Sequence, residues 1–319
     1  MGVVVVTDHV FRELEIERAL LSEVGHELRF DGNAASVDEV RRAVVGADAV
    51  LNCYAPMPAE VIGSLDRCRV IARYGIGVDT IDLAAATARG ILVTNVPDYC
   101  IDEVSDHALA LILSLTRRVA RLDRSVRAAS WDVAVASPMH RLRGRKLGLV
   151  GFGRIARALA AKAAAVGFVV LAADPYIDDD VIRAAGVQPR HLDALLEEAD
   201  VVSIHAPLTD ESRHLIDAEA IARMPRGAFL VNTSRGPLVD TDALRAALIE
   251  GRLGGVGLDV LEHEPPDMDD PLLSHPDAII TPHVAFASEE SILELRQKAV
   301  QQVIAALAGE TPPYALNAP

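Results

Sequence analysis

The chain has 319 residues, half of them hydrophobic, enough to bury the cores of two domains of ordinary size. Its 31 Lys and Arg against 46 Asp and Glu leave a net charge of −15, which repels phosphate backbones and anionic lipid and argues against nucleic acid or membrane as partners. Cys53, Cys68 and Cys100 show neither a CxxC pair nor metal-ligand spacing, so they read as packing residues in a reducing compartment, with no metal centre expected.

The opening MGVVVVTDHV lacks a basic leader and is too short for a span, so it reads as a first strand in a cytoplasmic protein. Short apolar runs at Val3–Val6, Ala49–Leu51, Val70–Ala72 and Ile91–Thr94 then alternate with amphipathic stretches such as Phe11–Glu23 and Val37–Val45. That rhythm predicts βαβ units and a parallel sheet. From Asp102 to about Ala128 apolar residues recur at helical spacing without Gly or Pro, which predicts one long helix. After a less regular stretch, 130–143, a second series follows. It comprises strand Lys146–Val150, helix Ile155–Val166, and strands Val169–Ala173, Val201–His205, Phe229–Asn232, Gly255–Asp259 and Ala278–Thr281. A last amphipathic helix is expected over Glu289–Leu307. The fold class is therefore α/β, with two doubly wound parallel-sheet domains.

The most informative local pattern is LGLVGFGRIA (147–156), a strand running through Gly151-Phe152-Gly153-Arg154-Ile155-Ala156 into a helix. Gly151 permits the tight turn, Gly153 lets backbone approach a pyrophosphate, and Ala156 allows close helix–strand packing. The helix start offers amides to phosphate. The next strand ends in Asp174, 21 residues past Gly153, where an acid that binds ribose hydroxyls is expected. An acid there disfavours a 2′-phosphate, which points to NAD as cofactor rather than NADP.

A second constellation occupies strand ends in the last third: Asn232-Thr233-Ser234-Arg235-Gly236, then Asp259 to Pro265, then Thr281-Pro282-His283. Reducing a 2-oxo acid needs a cation to hold the carboxylate and polarise the carbonyl, and an acid to protonate the oxygen. Arg235 suits the first role and His283 the second. A carboxylate beside the imidazole favours its protonated form, a task for Glu264.

These segments, with RYGIGVDTIDLAAATARGILVTNVPD (73–98), resemble the D-isomer-specific 2-hydroxyacid dehydrogenase family over essentially the whole chain. The resemblance implies a flavodoxin-like substrate domain from residues 1–98 plus 286–319 and a Rossmann NAD-binding domain from 99–285. It implies Arg235, Glu264 and His283 as the catalytic trio. It also places Arg154, Ile155, Asp174, Thr233, Ser234 and Asp259 at NAD, with Asp259 near the nicotinamide carboxamide and His205, Ala206 and Pro207 on the adenine side. The helix from Asp102 would help build a two-fold homodimer.

The loop Arg73-Tyr74-Gly75-Ile76 resembles the family's substrate-carboxylate loop. Phosphoglycerate-oxidising members carry a further arginine near the end of the preceding strand, where this chain has Asn52, then Cys53 and Tyr54. A neutral amide cannot replace a charge-assisted phosphate contact. GFVVLAADPY (167–176) and RGAFLVNTSRGPLVD (226–240) are similar to the C-terminal-binding protein subgroup and its bacterial relatives. There an aromatic residue three positions past the histidine, here Phe286, closes over the substrate side chain. The expected function is an NAD-dependent oxidoreductase interconverting a small anionic 2-oxo acid and its D-2-hydroxy acid, running as a reductase. Two alternatives stand beside it: a 3-phosphoglycerate dehydrogenase drawing charge from His140, Arg141 or Arg143, and an NAD(H)-sensing, corepressor-like scaffold.

Overall fold

The computed structural model describes residues 2–317. Residues 1, 318 and 319, which the sequence boundaries above include, lie outside them. The chain forms two units, Met1–Cys100 with Ser288–Pro319, and Ile101–Ala287.

In the first domain β1 (Val3–Val6), β2 (Glu27–Arg29), β3 (Ala49–Asn52), β4 (Val70–Arg73) and β5 (Leu92–Thr94) pair in parallel in the order β2-β1-β3-β4-β5. Every residue of β3 and β4 is buried, as parallel strands covered on both faces require. The helix Glu289–Ala308 closes this discontinuous domain by packing on β3, β4, β5 and the helix Glu15–Glu23. Strand order reverses between β1 and β3, a switch point at whose carboxyl edge ligands of such sheets bind.

In the second domain β6 (Lys146–Val150), β7 (Val169–Ala173), β8 (Gln188–Pro189), β9 (Val201–Ile204), β10 (Ala228–Asn232), β11 (Leu253–Leu258) and β12 (Ala278–Ile280) form a parallel sheet. Their order, β12-β11-β10-β9-β6-β7-β8, is the dinucleotide-binding winding with its switch point between β6 and β9. One core cluster runs from Val150 through Leu195, Leu230 and Leu258, and another from Leu111 through Leu149, Phe152 and Leu159. Asp178, Asp217, Asp240 and Asp270 each cap a helix by accepting a backbone amide, so part of the acid excess sits where helix dipoles favour it.

The single helix expected from Asp102 to Ala128 is two: Ile101–Thr116 and Val119–Arg127. Between them Arg118 adopts a left-handed φ of 55° and donates to the Gly254 carbonyl at 2.7 Å and to Asp277 at 3.0 Å. Tertiary partners for one guanidinium break a helix that no local Gly or Pro would stop. The second helix buries none of its residues; Val119 and Val126 are exposed, and so is Trp131 beyond it. Among the described residues no helix is long and apolar enough to cross a membrane.

Candidate active site

The turn after β6 is shaped by its glycine. Gly151 has φ 90°, and a Cβ there would stand 2.8 Å from the backbone of His205 and Ala206, so only glycine admits this approach of the β6 and β9 ends. Beyond it Gly153 caps the helix Arg154–Ala165, whose first turn leaves Arg154 exposed and Ile155 partly so. Asp174, past β7, accepts the Phe152 amide at 2.8 Å and the Tyr176 amide at 2.9 Å, which ties this acid to the turn. Ahead of Ala206 and Pro207, the His205 ring hydrogen-bonds Ser203 Oγ at 2.9 Å, and desolvation pushes its pKa down to about 4. It is neutral near pH 7. Ser234 Oγ donates to the Ile204 carbonyl, whereas Thr233 Oγ1 is buried with no partner. A backbone cradle, a helix start, an acid beyond β7 and an orphaned hydroxyl fit a dinucleotide.

The loops after β10, β11 and β12 assemble the remaining chemistry. Asn232, ending β10, accepts the Ser234 amide and donates to the Arg235 carbonyl, fixing the turn that carries Arg235. Glu264 Oε1 accepts the Leu261 amide at 2.9 Å, and its Oε2 lies 2.8 Å from His283 Nδ1. Burial alone would raise the Glu264 pKa. The hydrogen bond and charge of His283, the Leu261 amide and the Arg235 charge outweigh it and hold the carboxyl below its ordinary range. His283 has a left-handed φ of 52°, unusual for a non-glycine residue. Phe286 is partly buried three residues on.

The remaining sequence-derived substrate residues lie in the first domain. Arg73, ending β4, is 7% exposed; its Nε has no hydrogen-bond partner, and its guanidinium lies 5.5 Å from the centre of the Tyr54 ring. Tyr74 donates its amide to the Asn52 carbonyl, and Asn95 Nδ2 donates to the Ile76 carbonyl. Gly75 has φ 141°, and a Cβ on it would fall 1.3 Å from Arg73 Nη1. Orphaned polar atoms of Asn52, Arg73, Thr94 and Asn95 all belong to the carboxyl edge of β3, β4 and β5. Asn52 itself is fully buried and donates to Thr7 Oγ1 and the Ala55 carbonyl, so it braces the switch-point loop from inside. Tyr54 is the partly exposed residue of that loop.

A family model for the NAD-binding domain of D-isomer specific 2-hydroxyacid dehydrogenases matches residues 109–285. The chain belongs to that family. It is an NAD-dependent 2-hydroxyacid dehydrogenase, and the family acts on small 2-hydroxy or 2-oxo acids. The dehydrogenase is 43% identical to the glyoxylate reductase of Korarchaeum cryptofilum over 265 residues, covering 82% of this chain and 80% of that one. It is 39% identical to the D-3-phosphoglycerate dehydrogenase of Mycobacterium leprae over 276 residues, 86% of this chain but 52% of that longer protein. Among solved structures, the D-lactate dehydrogenase of Aquifex aeolicus in complex with NAD and lactic acid superposes with a TM-score of 0.86 at 30% identity, covering 97% and 96% of the two chains.

The dehydrogenase also uses residues that sequence reasoning passed over. His214 pairs with Glu262 at 2.8 Å, and the His214 amide donates to the Pro237 carbonyl, so the loops after β9, β10 and β11 are stitched together. His107 touches Thr281, which in turn donates to Asp259. In the first domain Arg296 and Glu17 form a buried ion pair beneath Tyr74. A lone His on a helix, or a charge within an amphipathic stretch, carries no local signal that a partner awaits it.

Proposed function

We propose that the enzyme reduces a small, unphosphorylated 2-oxo acid of the glyoxylate, hydroxypyruvate or pyruvate class to the D-2-hydroxy acid, with His283 as proton donor. The bound nicotinamide supplies the hydride to C2. Arg235 holds the substrate's carboxylate and polarises its carbonyl, and His283 Nε2 delivers a proton to the carbonyl oxygen. Glu264 keeps the imidazole oriented through Nδ1 and stabilises its cation; in the oxidative direction the same nitrogen takes the proton back. The 2.8 Å pairing of His283 with Glu264, on a carboxyl that also feels Arg235, carries this reading.

Identity to a phosphoglycerate dehydrogenase favours a phosphorylated acid as the second reading. Against it, the end of β3 presents a buried Asn52 and a Tyr54 rather than a cation. A panel decides: NADH oxidation with glyoxylate, hydroxypyruvate and pyruvate, set against NAD reduction with 3-phosphoglycerate. Turnover of the first group is expected; turnover of 3-phosphoglycerate alone would reverse the assignment.

Arg73 is the proposed second holder of the carboxylate, together with the 74–76 loop. Arg73→Met removes the guanidinium, keeps the apolar stem, and leaves untouched Gly75, whose φ of 141° would strain any side chain. Losing one charge-assisted contact is expected to raise the KM for the oxo acid about 10–100-fold, with the KM for NADH unchanged. An unchanged oxo-acid KM would take Arg73 out of the site. The exposed Val119, Val126 and Trp131 are the proposed seat of a second copy of the chain, read by sedimentation as twice its 34.1 kDa mass. A monomer at micromolar concentration would reject that seat.

A further inference from the structure

His283 can serve only if the backbone around it is held in a conformation that costs about 1–3 kcal/mol for a non-glycine residue. Its φ of 52° must be imposed by neighbours. Asp259, 2% exposed at the end of β11, supplies most of that constraint. Its carbonyl accepts the His283 amide at 2.8 Å. Its Oδ1 accepts the Val284 amide at 2.9 Å and the Thr281 hydroxyl at 2.6 Å, and its Oδ2 accepts the Ala285 amide at 2.9 Å. Residues on both sides of His283 are thus fastened to one buried carboxylate.

The clamp continues one residue further. Thr281 has a single hydroxyl proton and gives it to Asp259, so its oxygen is an acceptor toward His107 Nε2, 2.9 Å away on the helix Ile101–Thr116. The same Nε2 lies 3.7 Å from Asp259 Oδ1, which makes His107 the basic side chain beside that carboxylate. Resting on the reading of His283 as the acid, we infer that His107 and Thr281 are positioning residues. Together with Asp259 they hold the 281–285 turn in the strained conformation that presents the imidazole. The Asp259 carboxylate thus anchors the turn through donors of the chain itself.

The test uses near-isosteric changes on the intact enzyme. Thr281→Val deletes the hydroxyl and keeps the shape; Thr281→Ser keeps the hydroxyl. His107→Leu deletes the donor, whereas His107→Gln places an amide N–H near the position of Nε2. Displacing the acid by a fraction of an ångström is expected to lower kcat on the order of 10–100-fold in Thr281→Val and His107→Leu, with the KM for NADH little changed. The Ser and Gln variants should recover most of it. A purely structural role would lower the melting temperature and leave kcat alone. Hydrogen exchange of a peptide covering 281–287 gives a readout independent of turnover: exchange should be about tenfold faster in the Val and Leu variants and near the wild-type rate in the Ser and Gln variants. If Thr281→Val, or a folded His107→Leu, keeps wild-type kcat and exchange, the clamp is rejected. If the wild-type enzyme turned over no 2-oxo acid, the proposed function would fall, while exchange alone would still decide the clamp.

Discussion

His283→Asn is expected to lower kcat for 2-oxo acid reduction about 10²–10⁴-fold while leaving NADH affinity essentially intact. Asparagine is chosen because it tolerates the left-handed φ of 52° better than most non-glycine residues, so backbone strain does not confound the result. Its amide nitrogen also falls near the position of Nδ1 and can still donate to Glu264 Oε2, as the imidazole does at 2.8 Å. What disappears is the second ring nitrogen and with it the proton for the carbonyl oxygen. NADH absorbance reads the rate and NADH fluorescence reads binding; a variant retaining more than about a tenth of the rate would remove His283 from the acid role. Glu264→Gln bears on the same chemistry by another route. The amide keeps a hydrogen-bonding group beside Nδ1 but removes the carboxylate's charge, so kcat read by NADH absorbance should fall about tenfold or more with NADH affinity unchanged. The Glu264 carboxyl is itself held below its ordinary value of 4.5. Its pairing therefore adds to stability above that pH, and the contribution is lost as pH falls below it through the lowered value.

The parallel strands and the glycine turn were legible because their causes are local. A run such as Val169–Ala173 reads as a buried strand wherever it sits, and Gly151 is dictated by a backbone approach that a single Cβ would block. That Arg235, Glu264 and His283 come together was legible because each residue follows a strand end, and strand ends of one parallel sheet share an edge. The break at Arg118 was hidden, since it depends on a carbonyl 136 residues away. Asn52 was assigned to its strand end from sequence, but both faces of that strand are covered, and only the packed sheet shows that Asn52 is buried while Tyr54 is the loop's exposed residue. His107 gave no signal because its partner, Thr281, lies 174 residues along the chain.

The same long reach governs the second large effect expected of this enzyme, on the stability of its first domain. Arg296 is 5% exposed and Glu17 fully buried; the guanidinium grips the carboxylate through Nε at 2.8 Å and a terminal nitrogen at 2.6 Å, joining residues 279 positions apart. Arg296 also donates to the Glu13 carboxylate and carbonyl and lies over the Phe11 ring, while Tyr74 donates its hydroxyl to Glu17 at 3.3 Å. Burial alone would depress the Arg296 pKa; Glu17 and Glu13 outweigh it and raise it. Glu17→Ala removes the carboxylate but leaves the guanidinium inside, and breaking a buried pair from one side costs about 3–5 kcal/mol. Glu13 remains as a partner, so the lower end of that range is expected, measured as a shift in the denaturant midpoint of the first domain's transition. Replacing both partners by apolar residues, Glu17→Leu with Arg296→Met, leaves no buried charge and should recover the part of the loss that does not come from the unpaired Tyr74 hydroxyl. A double variant no more stable than Glu17→Ala would mean that the ion pair holds the domain through its own attraction. Tyr74 separates stability from function here: its hydroxyl loses its acceptor in both variants. The double variant should therefore keep a raised KM for the oxo acid even where its stability returns, because the loop that carries Arg73 and Gly75 has lost its tether to the helix Glu15–Glu23.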